Sequence, residues 1–246
     1  MKNSQKIGLL GALMFIVSCS TKKDAFLNRN YNALTTQYNI LYNGGVAFNE
    51  GLQEINASYE DDFFELLPIE PLTFKNKKFR LPKLSSSSNK PGKGFQESPE
   101  QEESLTPFDI AEQKAVKAIQ KHSMNIYGKE RNKKIDDAYL LLGKSRYYTE
   151  RFIPAIDAYN YIIANYPNAS LLNETKIWRA KAHIRLENEE LAIETLEILL
   201  RKPDLSDLIR EEAATTLAMA YSKADTIELV RKYLWQATET SKNKVQ

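Results

Sequence analysis

The sequence predicts an all-α fold: a solenoid of helical hairpins, preceded by an N-terminal helical hairpin and a cleavable lipoprotein signal. Three observations predict it. Small residues recur as Gly143, Ala180 and Ala218, spaced 37 and 38 residues apart, and Ala155, Ala192 and Val230 follow them in step. Elsewhere apolar residues return at intervals of three and four, the period of an amphipathic helix. The first nineteen residues pass from basic to apolar to small and end in the only cysteine, Cys19.

The signal comes first. Lys2 and Lys6 precede an apolar run, Ile7 to Val17, that is too short to span a bilayer. Ile16-Val17-Ser18-Cys19 then has the form of a lipobox. Cleavage after Ser18 removes residues 1–18 and lets Cys19 carry a diacylglycerol on its thiol and an acyl chain on its amine. At roughly 0.8 kcal/mol per buried methylene, three chains hold the protein at a membrane. An ordinary secretory signal shares the basic and apolar regions, and the small Ser18 beside the cysteine favours the lipid form. The lipid also consumes the only thiol, which leaves no disulfide and no thiolate metal site.

A lipidated polar tether follows over 19–30. Tyr31, Leu34, Tyr38, Leu41 and Tyr42 then mark a first helix, expected to end near Asn43-Gly44-Gly45. Ala47, Phe48, Gly51, Leu52 and Ile55 mark a second, so Tyr31 to Ile55 reads as a hairpin. From Tyr59 to Pro71 two prolines forbid a continuing helix, and the segment is expected to be an extended strap with its aromatics docked on a helix. The hairpin and strap together make a unit over 31–74. Residues 75–106 contain Ser85-Ser86-Ser87-Ser88 and Pro91-Gly92-Lys93-Gly94, with too little apolar content to offset ordering entropy, and read as a disordered linker.

Helical order resumes at Pro107, which suits a first turn, and continues through Ala111, Ala115, Ala118, Ile119 and Met124 to a break at Gly128. Residues 107–240 form the helical repeats and 241–246 a polar tail. In the partner helices Tyr159, Leu196 and Leu234 each lie four residues beyond the small position. This period, with a small residue where helices cross and a large one beside it, resembles a tetratricopeptide repeat (TPR). Tyr139, Leu142, Gly143, Ala155, Tyr159 and Pro167 fall on motif positions in the first repeat, while Arg146 and Ile162 replace the usual residues. In the second, Lys176 and Arg179 depart from the motif and the proline comes one early as Pro203. The third keeps Leu217, Ala218, Tyr221 and Ala237. The fold class is thus a TPR-like helical-hairpin solenoid.

Charge narrows the partners. Lysines and arginines total 34 against 32 acidic residues, so loss of Lys2 and Lys6 leaves the mature chain formally neutral, and no nucleic acid is expected. No catalytic constellation is present: His122 and His183 lack an i+4 ligand, and Gly44-Gly45 and Gly92-Lys93-Gly94 lack the context of a phosphate loop. Asp61-Asp62 reads as a solvated acidic pair, with a Ca²⁺ contact as its alternative. No metal, no small-molecule substrate and no cofactor beyond the Cys19 lipid are expected.

The repeat register instead places Lys144, Tyr147, Tyr148, Trp178, Lys181, Arg185, Met219 and Lys223 on the concave wall. Exposed cations over aromatic floors would clamp a carboxylate or an extended peptide of a protein partner. The alternative is that the aromatics are packing and the cations a solvated face.

Longer strings carry a more specific resemblance. They include Cys19-Ser20-Thr21-Lys22-Lys23-Asp24, Phe26-Leu27-Asn28-Arg29-Asn30, Ala33-Leu34-Thr35-Thr36-Gln37-Tyr38-Asn39, Leu67-Pro68-Ile69-Glu70-Pro71 and Tyr139-Leu140-Leu141-Leu142-Gly143-Lys144. In these the chain resembles the PorW/SprE family, the TPR lipoproteins of the Bacteroidetes type IX secretion system tied to gliding motility. The resemblance implies a non-enzymatic outer-membrane lipoprotein facing the periplasm, which links the outer-membrane translocon to periplasmic parts of the apparatus. Family members are usually longer, with further repeats. The runner-up is a general cell-envelope TPR lipoprotein that assists outer-membrane protein assembly or binds peptides.

Overall fold

The computed structural model describes residues 20–64, 67–70, 72 and 105–242, with side chains as far as 240. The expected signal peptide, Cys19 and most of the 75–106 linker lie outside the described residues.

The described chain is mostly helical. It opens with α1 (Phe26–Thr35), which runs without a break through a π-helical segment (Thr36–Leu41) into α2 (Tyr42–Ser58). The hairpin expected to turn at Asn43-Gly44-Gly45 is therefore one continuous rod, and it starts at Phe26 rather than Tyr31. Gly44 does not end the helix but lets a neighbour in: a Cβ there would lie 2.8 Å from Leu141 Cδ2 and 3.1 Å from Lys114 Cβ. Ala47, Phe48 and Gly51 pack inward as expected, with Phe108 seated where a Gly51 side chain would stand. The rod pairs with α3 (Pro107–His122), capped by a reciprocal Thr106/Asp109 box and buried along Phe108, Ala111, Ala115 and Ala118.

The inward face of α1 is polar, which periodicity did not predict. Asn28, Asn32 and Thr36 are fully buried, whereas Tyr31, Leu34, Tyr38 and Tyr42, whose spacing marks the helix, face outward. Hydrogen bonds account for the inversion. Asn132 donates to Thr36 Oγ1 (3.0 Å) and to the His122 carbonyl (2.8 Å) and accepts from the Lys134 amide, while His122 Nδ1 meets Asn32 Oδ1 at 2.9 Å. Burial and then Lys117 lower the His122 pKa, so the ring is neutral at pH 7 and donates to Asn32. Asn132→Ala removes two donated hydrogen bonds and one accepted one from a buried site and is expected to cost roughly 1–3 kcal/mol. A lower urea midpoint with unchanged slope would show it; an unchanged midpoint would mean that the network carries no net stability.

After α3 comes a short β-hairpin, β1 (Asn125–Ile126) with β2 (Lys129–Glu130), where the sequence reading carries the helix on to a break at Gly128. Tyr127 and Gly128 both take positive φ, 53° and 74°, as a two-residue hairpin turn requires. Glu130 ties the hairpin down by accepting from Ser123 Oγ and from the Met124 and Asn132 amides.

The remaining helices are α4 (Ile135–Tyr148), α5 (Phe152–Asn165), α6 (Leu172–Arg185), α7 (Glu189–Leu200), α8 (Asp207–Lys223) and α9 (Ile227–Lys242). Each packs on the next in sequence, and α4 contacts α6 as α6 contacts α8. The α4–α5, α6–α7 and α8–α9 turns share one geometry. Glu150, Glu187 and Asp225 take φ of 64°, 59° and 55°, and the next amides bond back to Arg146, His183 and Tyr221 carbonyls. These are left-handed helix ends without glycine. They recur in step with the buried Gly143, Ala180 and Ala218; Gly143 stands against the Tyr159 ring, and Ala180 packs in one cluster with Ala192 and Leu196. Arg146, in place of the motif aromatic, reaches across to Glu112 of α3 at 2.9 Å; Arg151 pairs with the same carboxylate.

Candidate functional site

The face shared by α4, α6 and α8 carries the residues expected to receive a partner. Trp178 of α6 lies at its centre, nearly buried, with Tyr147 edge-on at 5.5 Å and Tyr148 at 5.9 Å. Lys144 Nζ and Lys181 Nζ sit 4.9 and 4.5 Å from the indole centroid, and Met219 of α8 is buried in the neighbouring core. Seven of the eight expected residues thus come together. Lys223 is exposed in the last turn of α8, and among the described residues no hydrogen bond or ion pair links it to the others.

The cations are not a free surface, which corrects the expected exposed groove. The chain's own strap lies on them. Arg185 donates from Nη2 to Glu70 Oε2 at 2.6 Å and from Nε to Tyr147 Oη at 2.9 Å; the Tyr147 hydroxyl completes the triangle by donating to Glu70 Oε2 at 2.5 Å. Lys181 pairs with Glu70 Oε1 at 3.7 Å and with Glu212 at 3.5 Å, while Lys144 pairs with Glu174 at 2.5 Å. The Glu70, Lys181 and Arg185 side chains are each only about 15% exposed.

Protonation states follow from this geometry. Burial first, then the Glu70 charge, pushes the Tyr147 phenol far above its ordinary pKa, so it remains a donor. Burial opposes the Arg185 charge, but Tyr147 and Glu70 outweigh it and hold the guanidinium above its usual value. Apolar anchors flank the carboxylate: Ile69 packs on the α6–α8 core and Leu72 on the cluster around Trp178. A cavity of about 120 Å³ continues beside Ile69 and Glu70 toward Thr215, Thr216 and Met219 of α8.

The sequence barred helix from this segment, and the structure puts a turn at 63–64, a bend at 69–70 and a Leu72 amide to Glu70 carbonyl bond there in place of a simple extended strand; its contacts were not legible. Phe63 and Phe64, expected to dock, are exposed at 79% and 101%, whereas Ile69, Glu70 and Leu72 make the seat. Glu70, Glu174 and Glu212 are the residues that sequence reasoning missed. Their one signal was the placement of Glu70 between Pro68 and Pro71, in a chain segment barred from helix. His183 lies in α6 with its pKa lowered by burial and then by Arg179. Among the described residues no cluster of three or more His, Cys, Asp or Glu is arranged to hold a metal ion.

No protein-family model matches the chain, and no curated protein matches it.

Proposed function

We propose that the chain is a non-enzymatic, lipid-anchored TPR-like scaffold of the type IX secretion machinery, held at the periplasmic face of the outer membrane by Cys19. In this role it links the translocon to periplasmic components and supports gliding where the host glides. The strings around Cys19, Asn28 and Pro68 support the family reading, and the three alike hairpin turns support the repeat reading. The observation that carries a binding role is the cation and aromatic face that seats a non-helical segment of the chain through one carboxylate. It is the chemistry by which helical-repeat proteins hold peptides in trans.

The partner's chemistry follows from the seat: a non-helical segment with apolar residues around a Glu or Asp, entering in competition with the strap. Deletion of the gene in its native host is expected to abolish secretion through this route and surface motility. Wild-type DNA should restore both, and a Cys19→Ala version should not. Normal secretion in the deletion strain would move the protein to general envelope maintenance.

A further inference from the structure

We propose that the outward face of α1 and α2 lies on a phospholipid bilayer, so that the first helix is an interfacial anchor beside the lipid. The inference rests on the lipidated Cys19 of the proposed function. Leu27, Leu34, Tyr38, Tyr42 and Val46 are 56%, 57%, 66%, 66% and 51% exposed along the rod, while its inward side buries Asn28, Asn32 and Thr36 at one end and Ile40, Ala47 and Phe48 at the other. Along the first half the polarity is inverted relative to a helix between core and water, and along the second half both sides are apolar. Apolar side chains that stay in water gain nothing on folding, whereas a membrane interface would remove their area from water, and exposed apolar faces of this kind mark such contacts.

Two further observations select the bilayer. A four-residue repeat drifts around an α-helix of about 3.6 residues per turn, whereas a π turn takes up more residues and cancels the drift. The π segment Thr36–Leu41 therefore keeps Leu34, Tyr38, Tyr42 and Val46 in line along the rod, as a flat surface requires. The tether is also not loose. Asn28 Nδ2 donates to the Ser20 carbonyl at 2.8 Å, and Asp24 pairs with Arg29 and Arg131. Ser20 is thus fixed against the first turn of α1, at the end of the rod where the stripe begins. Tyrosines with apolar rings and polar tips suit the headgroup level, and exposed Lys22 and Lys23 suit anionic headgroups.

The test uses the full chain in vesicles of phosphatidylethanolamine and phosphatidylglycerol, with an environment-sensitive fluorophore on Tyr38→Cys or, for comparison, on Leu191→Cys of α7. Lipids bearing a nitroxide near the acyl carbonyl are expected to quench the label at 38 severalfold more than that at 191. Radiolabelled palmitate on the chain reads Cys19 separately. Equal quenching at both positions with palmitate present overturns the proposal, as does disulfide formation between two copies at 38 without quenching, which would assign the face to a dimer. Strong quenching at 38 without palmitate supports the helix contact while removing the lipid. Absence of both overturns the two together.

Discussion

Gly143→Ala is expected to destabilise the first helical hairpin by roughly 1–3 kcal/mol, the cost of overpacking a filled core. The added Cβ would stand 2.3 Å from Tyr159 Cε1 and 2.7 Å from Cζ, and the Tyr159 ring is fully buried, so it has no solvent to move into. For a chain of this size each kcal/mol lowers Tm by about 2–4 °C, readable by circular dichroism at 222 nm. Gly45→Ala is the control of opposite sign. Nothing lies within 4 Å of a Cβ there, and replacing a glycine inside a helix stabilises by roughly 0.5–1 kcal/mol. Tyr159→Leu combined with Gly143→Ala should recover part of the loss. Additive destabilisation in the double variant would mean that the ring contact is not the cause.

Glu70→Lys is expected to unseat the strap. It places a third cation against Lys181 and Arg185 and removes the acceptor of the Tyr147 hydroxyl. Breaking a buried pair costs about 3–5 kcal/mol when the orphaned charge stays buried. Here the strap can lift away and hydrate both cations, so most of the effect should appear as local opening rather than global unfolding. Limited proteolysis would read it: the wild-type chain is expected to resist cleavage beside Ile69 and Glu70, and the variant to be cut first there. A labelled peptide spanning Leu67 to Leu72 should then bind the variant in trans and the wild-type chain only weakly. Glu70→Gln keeps a hydrogen-bond acceptor without the charge and should fall between the two. Unchanged protection in Glu70→Lys would assign the seating to Ile69 and Leu72 instead. The same geometry changes what reversing Lys144, Lys181 and Arg185 would do: it would disturb the strap and Glu174 as well as any partner.

The small residues of α4 and α6, the helix start at Pro107 and the segment barred from helix were readable because each depends on nearby residues. Spacing fixes which positions share a helix face, proline fixes φ, and a Thr/Asp pair caps its own turn. Glycine was misread at Gly44-Gly45, since the same residue serves a turn or a close approach and only the neighbouring helix distinguishes them. The positive-φ Glu150, Glu187 and Asp225 were invisible for a related reason, as acidic residues carry no strong signal for a left-handed helix end.

By itself the sequence determined a helical chain, the beat of its hairpins and a segment that cannot be helix. Tertiary structure alone decided which face of the first helix is inside, because Asn28, Asn32 and Thr36 become preferable there only once Asn132 and His122 supply hydrogen bonds from distant elements. It alone decided that the cations are occupied. A charge's partner depends on which remote carboxylate the fold brings within reach, and Glu70 meets Arg185 across 115 residues of chain.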